Sequence, residues 1–222
     1  MRKVLAINKY TGIETRSSVT STDADIINGP GPPTILEMHK CFVERGIPLA
    51  VAAAQKALAE AGITDACAAI THVVATTCTD SANPGFDLNL ANRLGLSPQV
   101  ERTLLHGVGC AGGLATLRTA ANLALGHTAR GKAARILCVA CEISTVLVRS
   151  ELDSIDQDQE VRIGPVLFSD GASAVLLSNG IGEHGDGPAR APVYRLLGWQ
   201  HTTIPDTQHD LGFDVDPFGV LV

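Results

Sequence analysis

Cys110 is the residue whose neighbours best equip it for chemistry. It stands in Leu104-Leu-His-Gly-Val-Gly-Cys110-Ala-Gly-Gly-Leu-Ala-Thr-Leu-Arg-Thr-Ala120, where an apolar run gives way to glycines and then to an Ala/Leu-rich run. A strand that turns sharply into a helix presents the residue at the turn, and small neighbours let the turn be tight and the helix lie close on the sheet. Gly107, Gly109, Gly112 and Gly113 supply those neighbours. Unpaired N–H groups and the macrodipole at a helix N-terminus favour a thiolate, and a thiolate is the nucleophile that thioester exchange requires. The local pattern leaves a second reading open, in which Cys110 is one more small hydrophobe at a strand-to-helix junction and the glycines only pack.

The remaining reactive side chains give weaker signals. His106, four residues before Cys110, is the nearest base in sequence and reads as a strand residue. His39, His72, His127, His184, His201 and His209 show no H-E-x-x-H or other ligand spacing, so no metal is implied. Cys138 and Cys141 form a C-x-x-C, but within an apolar strand an offset of three puts the two sulfurs on opposite faces, which suits core cysteines rather than a redox or zinc pair. Glu142, Arg149 and Asp170 lie in or beside apolar runs and need partners there, as structural ion pairs or hydrogen-bond anchors.

The elements that must position Cys110 follow from periodicity and punctuation. A helix is expected from Pro48 to Ala61, with Pro48 in its first turn and Gly62 as its cap. A strand over Thr71–Thr77 leads through a loop at Asn83–Gly85 into a short helix from Asp87 to Leu94, closed by Gly95. A strand at Thr103–Gly107, a helix from Ala111 to about Leu125 and a strand at Arg135–Ala140 complete a β-α-β-α-β order, the sign of a parallel sheet with right-handed crossovers. The N-terminal stretch is polar, with a Pro-rich segment at Gly29–Pro33. Beyond residue 150, the acidic run Glu151–Glu160 reads as a surface loop or short helix. Gly171–Ser178 and Val193–Gly198 read as strands flanking a Gly-rich turn. Thr202–Val222 shows no convincing periodicity and ends on an apolar stretch.

Composition bounds the function classes. With 222 residues, 45% hydrophobic and 18% charged, the chain can build one good core or two small ones. A net charge of −6 with scattered Lys and Arg lacks the electrostatic footprint of a nucleic-acid binder. Met1-Arg2-Lys3 precedes too short an apolar stretch for a signal peptide, and no run approaches the roughly 18 apolar residues of a membrane span, so a cytoplasmic address is expected. There Cys41, Cys67, Cys78, Cys110, Cys138 and Cys141 read as thiols.

Four ordered motifs resemble type III polyketide synthases of the chalcone synthase kind, within the thiolase superfamily. Gly109–Arg118 is similar to the family's nucleophile elbow, Val139–Arg149 to a strand and the turn after it, and Ile163–Val175, with Phe168, Asp170 and Gly171, to a Phe-x-Asp-Gly-Ala segment. Ala75–Gly85 resembles a Thr-Thr…Pro-Gly loop that walls the family's cavity, with a one-residue insertion. The similarity runs from Thr11–Arg16 to the end, and the subgroup resembles the fungal branch, whose members prefer long fatty acyl starters. The resemblance implies an α/β, thiolase-like fold represented by its N-terminal αβα layer only. Residues 1–222 would be one partial N-terminal chalcone/stilbene synthase-like domain, without the family's first strand and its C-terminal half.

Site roles are likewise implied only by that resemblance. Cys110 matches the acyl-carrying nucleophile. Phe168 matches an aromatic gatekeeper between coenzyme A tunnel and cavity, and Leu147 a cavity-lining position; either also reads as plain core. Thr77 and Cys78 match the cavity wall near a subunit boundary. Lys3 reads first as a solvated lysine and second as a holder of coenzyme A phosphates. The implied activity is acyl transfer from a starter acyl-CoA to the cysteine, then decarboxylative condensation with malonyl-CoA, with no cofactor beyond the coenzyme A thioesters themselves and with a homodimer as the assembly. The family's histidine, in a His-Pro-Gly motif, and its asparagine have no counterpart in these residues. Losing such a polarising donor typically costs about 100-fold to 1000-fold, so loading is the most expected of the chain alone. Two alternatives stand beside this reading: a non-catalytic fragment or pseudoenzyme, and a condensing enzyme of the ketoacyl synthase III type. A missing second layer would also leave one sheet face apolar and exposed, inviting association.

Overall fold

The computed structural model describes residues 2–159, 161–182, 191–212, 214–216 and 219–221. They fall into two units, one of Ile47–Cys141 with Ala172–His201, the other of Met1–Gly46, Glu142–Gly171 and Thr202–Val222.

The first unit holds the expected parallel sheet. Strand β1 (His72–Thr76) is buried at every residue, as a central strand covered on both faces should be. It pairs in parallel with β2 (Glu101–Leu105) on one side and with β3 (Arg135–Glu142) on the other, so that Thr76 stands level with Leu105 and Ala140. Strand β4 (Gly171–Ser178) lies beyond β3, giving the order β2-β1-β3-β4. The chain therefore steps one way from β1 to β2 and then crosses back to β3. Open α/β sheets place their sites at the carboxyl ends of the strands beside such a reversal.

Helices cover this sheet. The 17-residue helix α7 (Gly112–Thr128) sets Ala120 and Ala124 against Val74, Ile136 and Cys138, with Leu105, Leu117, Leu123 and Leu177 packed around them. Alanines at the contact bring helix and sheet close. Cys138 shares that face and gives its S–H to the Thr116 carbonyl at 3.8 Å, whereas Cys141, also buried, falls on the opposite parity, so the two sulfurs diverge as expected. Helix α4 (Ile47–Glu60) buries Ile47, Ala50, Ala54 and Leu58 along one stripe and packs with α6 (Phe86–Arg93). Gly62 and Gly95 follow these helices with φ of +74° and +65°, the left-handed cap that glycine adopts without penalty. The four-residue α5 (Ala66–Ala69) is capped by the Asp65 carboxylate, which accepts from Ala68 N–H at 3.0 Å.

The second unit is mainly helical: α1 (Arg2–Thr11), α2 (Asp25–Asn28), α3 (Ile35–Cys41), a 3₁₀ turn at Ser144–Leu147, α8 (Val148–Gln157), α9 (Gly164–Leu167) and a two-stranded antiparallel ribbon of β5 (Asp214–Asp216) and β6 (Gly219–Leu221). Its core gathers Ile155 and Val166 with Ile7, Leu152 and Leu167. Asp170 is the polar anchor. Its carboxylate accepts from Val19 N–H (2.8 Å), Thr145 N–H (2.8 Å) and the Thr145 hydroxyl (2.5 Å), and its own N–H donates to the Ser17 carbonyl (2.9 Å). Arg149 pairs with Asp153 one turn along α8 at 2.7 Å.

Several expectations require correction. Helical backbone reaches Pro48 from upstream, through a π turn at Phe42–Gly46, instead of starting there. The wider turn before a proline accommodates its missing N–H and its ring. The polar N-terminal stretch contains three helices, and the Thr34/Glu37 capping box that opens α3 was a readable signal. The acidic run forms, through Gln157, the short helix that was one of its two readings, but α8 is amphipathic and buries Ser150, Glu151, Ser154 and Ile155 rather than lying on the surface. Of the two strands flanking the Gly-rich turn only β4 forms. Residues 193–198 have no regular structure, with Val193, Tyr194 and Leu197 exposed. Apolar alternation makes a strand only where a ladder partner exists. Most of the intervening turn, residues 183–190, lies outside the described residues. No helix among the described residues is long and apolar enough to cross a membrane.

Candidate active site

Cys110 sits at a built elbow. Strand β2 stops at Leu105, Gly107 and Gly109 take φ of +69° and +51°, and a 3₁₀ turn over Gly109–Ala111 leads into α7. Both glycines lie where a side chain would strain the backbone. Cys110 occupies the middle of the turn and is exposed. That exposure sets Cys110 apart from the buried Cys138 and Cys141. His106 is exposed in the turn after β2, not within the strand as expected.

Thr76 fixes the elbow from below, a role with no signal in the residue pattern. Its hydroxyl donates to the Leu105 carbonyl at 3.2 Å, tying the last residue of β1 to the last of β2. Its side chain also fills the space a Cβ on Gly112 would need, with Oγ1 at 2.6 Å and Cγ2 at 2.9 Å from that position. Gly112 is thus small because the start of α7 rests on the end of β1. Gly113 has no such reason, since a Cβ there meets nothing within 4 Å.

Thr77 and Cys78 continue from the carboxyl end of β1, the same sheet edge from which Cys110 follows β2. Thr77 is buried and its hydroxyl engages Thr79 through both Oγ1 (3.3 Å) and the N–H (3.2 Å); Cys78 is half-buried. The loop returns through Gly85, where a Cβ would strike the Leu104 side chain, to the buried Asp87 of α6, which pairs with Arg102 of β2. The structure therefore brings Cys110, Thr77 and Cys78 to one edge. Leu147 and Phe168 belong to the other unit: Leu147 is fully buried at the end of its 3₁₀ turn, and Phe168 is half-buried at the end of α9. Lys3 is exposed on α1.

All six cysteines are thiols, and their settings differ. Burial pushes Cys138 up to about 12, and burial together with the nearby Asp170 carboxylate raises Cys41. Cys110 and Cys67 are the exposed ones, and Cys67 lies in the four-residue α5, with no elbow around it. An exposed thiol at the start of a long helix, beside a topological reversal, is equipped to take an acyl group by nucleophilic substitution.

The family profile described as chalcone and stilbene synthases, N-terminal domain, matches residues 9–181. An acylalkylpyrone synthase of Aspergillus oryzae is 43% identical over 220 residues, covering 99% of this chain and 54% of its own length. A type III polyketide synthase of Penicillium soppii is 41% identical over 228 residues, covering 100% and 56%. Among solved structures, a type III pentaketide synthase from Neurospora crassa superposes with a TM-score of 0.93 at 62% identity, over 99% of this chain and 57% of that one. CsyB complexed with coenzyme A does so with a TM-score of 0.93 at 44% identity, over 99% and 57%. The chain spans about half the length of the relatives it matches.

Proposed function

The chain belongs to the chalcone and stilbene synthase family of type III polyketide synthases, and from that premise we propose that Cys110 is the acyl-accepting nucleophile of a polyketide-forming acyltransferase. The exposed thiol at the β2–α7 elbow is the observation that carries the proposal. In loading, the Cys110 sulfur attacks the carbonyl carbon of a starter acyl-CoA. A carbon–sulfur bond forms to Cys110, the one to coenzyme A breaks, and coenzyme A leaves as its thiol with the proton. In extension, malonyl-CoA loses carbon dioxide and the resulting carbanion attacks the Cys110 thioester, releasing the cysteine and giving a β-ketoacyl-CoA two carbons longer. The coenzyme A complex of CsyB, 44% identical over this chain, supports coenzyme A thioesters as the substrate class.

The proposal assigns Thr77 and Cys78 to the wall beside the acyl group, Leu147 and Phe168 to the cavity and its gate, and Lys3 to the coenzyme A phosphates. Residues 1–222 act as one N-terminal portion, in a homodimer and a cytoplasmic, reducing compartment, which six cysteines in the thiol form suit. No His-Pro-Gly occurs in the sequence, so the chain alone performs at most the loading step, and the decarboxylative step draws on groups outside these residues. The test is product formation by a protein carrying these residues within a chain of the relatives' length. Acyl-CoA and malonyl-CoA give polyketide, and Cys110→Ala abolishes it. Product from the Cys110→Ala protein would remove Cys110 from its role. Condensation with malonyl carrier protein in preference to malonyl-CoA would establish the ketoacyl synthase reading instead.

A further inference from the structure

At the sheet edge opposite Cys110, three side chains from three elements converge. His72 opens β1 and Glu101 opens β2, and the two are register partners. His127 stands in the last turn of α7. One ligand-capable atom of each lies within 4.8 Å of the other two. His72 Nε2 is 3.6 Å from Glu101 Oε2, and the imidazole rings meet edge to face with centroids 4.7 Å apart.

Counting hydrogen-bond donors fixes the tautomers. Thr71 Oγ1 gives its one proton to the Arg135 carbonyl at 3.0 Å and accepts from Arg135 N–H at 2.9 Å. Its 2.7 Å contact with His72 Nδ1 is therefore one in which the histidine donates, leaving a lone pair on Nε2. That Nε2 is buried without a hydrogen-bond partner, in a residue 2% exposed. His127 Nδ1 lies 3.2 Å from the Ala133 carbonyl, which can only accept, so its lone pair is on Nε2. Two imidazole lone pairs and a carboxylate thus share a half-enclosed corner.

We propose that His72, Glu101 and His127 are the protein ligands of a divalent transition-metal site of the zinc class, with water in the fourth position. Bonds of about 2.0–2.2 Å set tetrahedral ligand atoms roughly 3.3–3.6 Å apart. The His72–Glu101 separation already fits, and Glu101, 70% exposed, is free to adjust and leaves an entry path. Thr71 and Ala133 are the outer partners that orient the two imidazoles. The ion ties the starts of β1 and β2 to the last turn of α7, the helix that follows the Cys110 turn. The ligands come from three separate elements, so no local spacing revealed them.

The test titrates the chelator-treated 222-residue chain with Zn²⁺ by calorimetry and with Co²⁺ by visible absorption. One Zn²⁺ binds per chain and raises the unfolding temperature, and the Co²⁺ spectrum lacks a thiolate charge-transfer band. Glu101→Gln and His127→Gln each weaken Zn²⁺ binding at least about 10-fold and remove the thermal shift, while metal-free Glu101→Gln unfolds at the unsubstituted temperature. No Zn²⁺ binding, binding unchanged in both variants, or a thiolate band showing the metal on cysteine would each overturn the proposal.

Discussion

At the scale of single residues, the strongest statement outside the elbow concerns Glu151. Its side chain is fully buried in α8, and burial pushes its carboxyl up to about 7, against the Gly164 amide and Arg162, which pull the other way. A Cβ on Gly164 would collide with that carboxylate, so the side chain is tightly enclosed. Because the folded pKa is raised above the unfolded value of 4.5, the folded chain keeps a proton that the unfolded chain has lost. The associated stability is fully present below pH 4.5 and is lost as pH rises through about 7, a swing on the order of 3 kcal/mol. Glu151→Gln is expected to remove that slope. Urea unfolding of both proteins between pH 4.5 and 7.5 should show the variant gaining relative stability toward neutral pH, and parallel curves would disprove the shifted carboxyl.

At the scale of elements, the elbow distinguishes two adjacent glycines that look equivalent in the sequence. Gly112→Ala puts a methyl against Thr76 and is expected to destabilise by about 1–3 kcal/mol and to displace Cys110. Gly113→Ala meets open space and is expected to stabilise by about 0.5–1 kcal/mol. Denaturant unfolding of the two variants checks the contrast, and equal effects would count against the packing assigned to Gly112. The β-α-β-α-β core was legible because β1, β3 and α7 carry apolar patterns that match their periods, and Gly62 and Gly95 mark true helix ends. The turn that holds Cys110 was legible for the same reason: its flanking glycines announce a turn. Residues 193–198 were misread because alternation says nothing about whether a partner strand exists, and the burial of α8, though not its helix, was missed because its buried acid, Glu151, hides an amphipathic face. Thr76 and the His72, Glu101 and His127 corner were illegible because only tertiary contact defines them.

At the scale of the whole molecule, the sheet face expected to lie open is covered at the central strand β1, and the exposed apolar side chains stand on α7 and β4. Leu114 and Leu125, three turns apart on one face of α7, are 76% and 57% exposed, and Val175 of β4 is 49% exposed. Surfaces of this kind associate. Sedimentation velocity of the 222-residue chain should show self-association that rises with concentration and weakens in Leu114→Lys/Leu125→Lys. A monomer at all concentrations would show that these residues need no cover. The central claim is the chemistry of Cys110, and intact-protein mass spectrometry after incubation with a long-chain acyl-CoA tests it most directly. The account predicts one added acyl group, mapped to the peptide containing Cys110 and absent from Cys110→Ala, with Cys67 unmodified. No added mass, or an acyl group on Cys67 as readily as on Cys110, would contradict it.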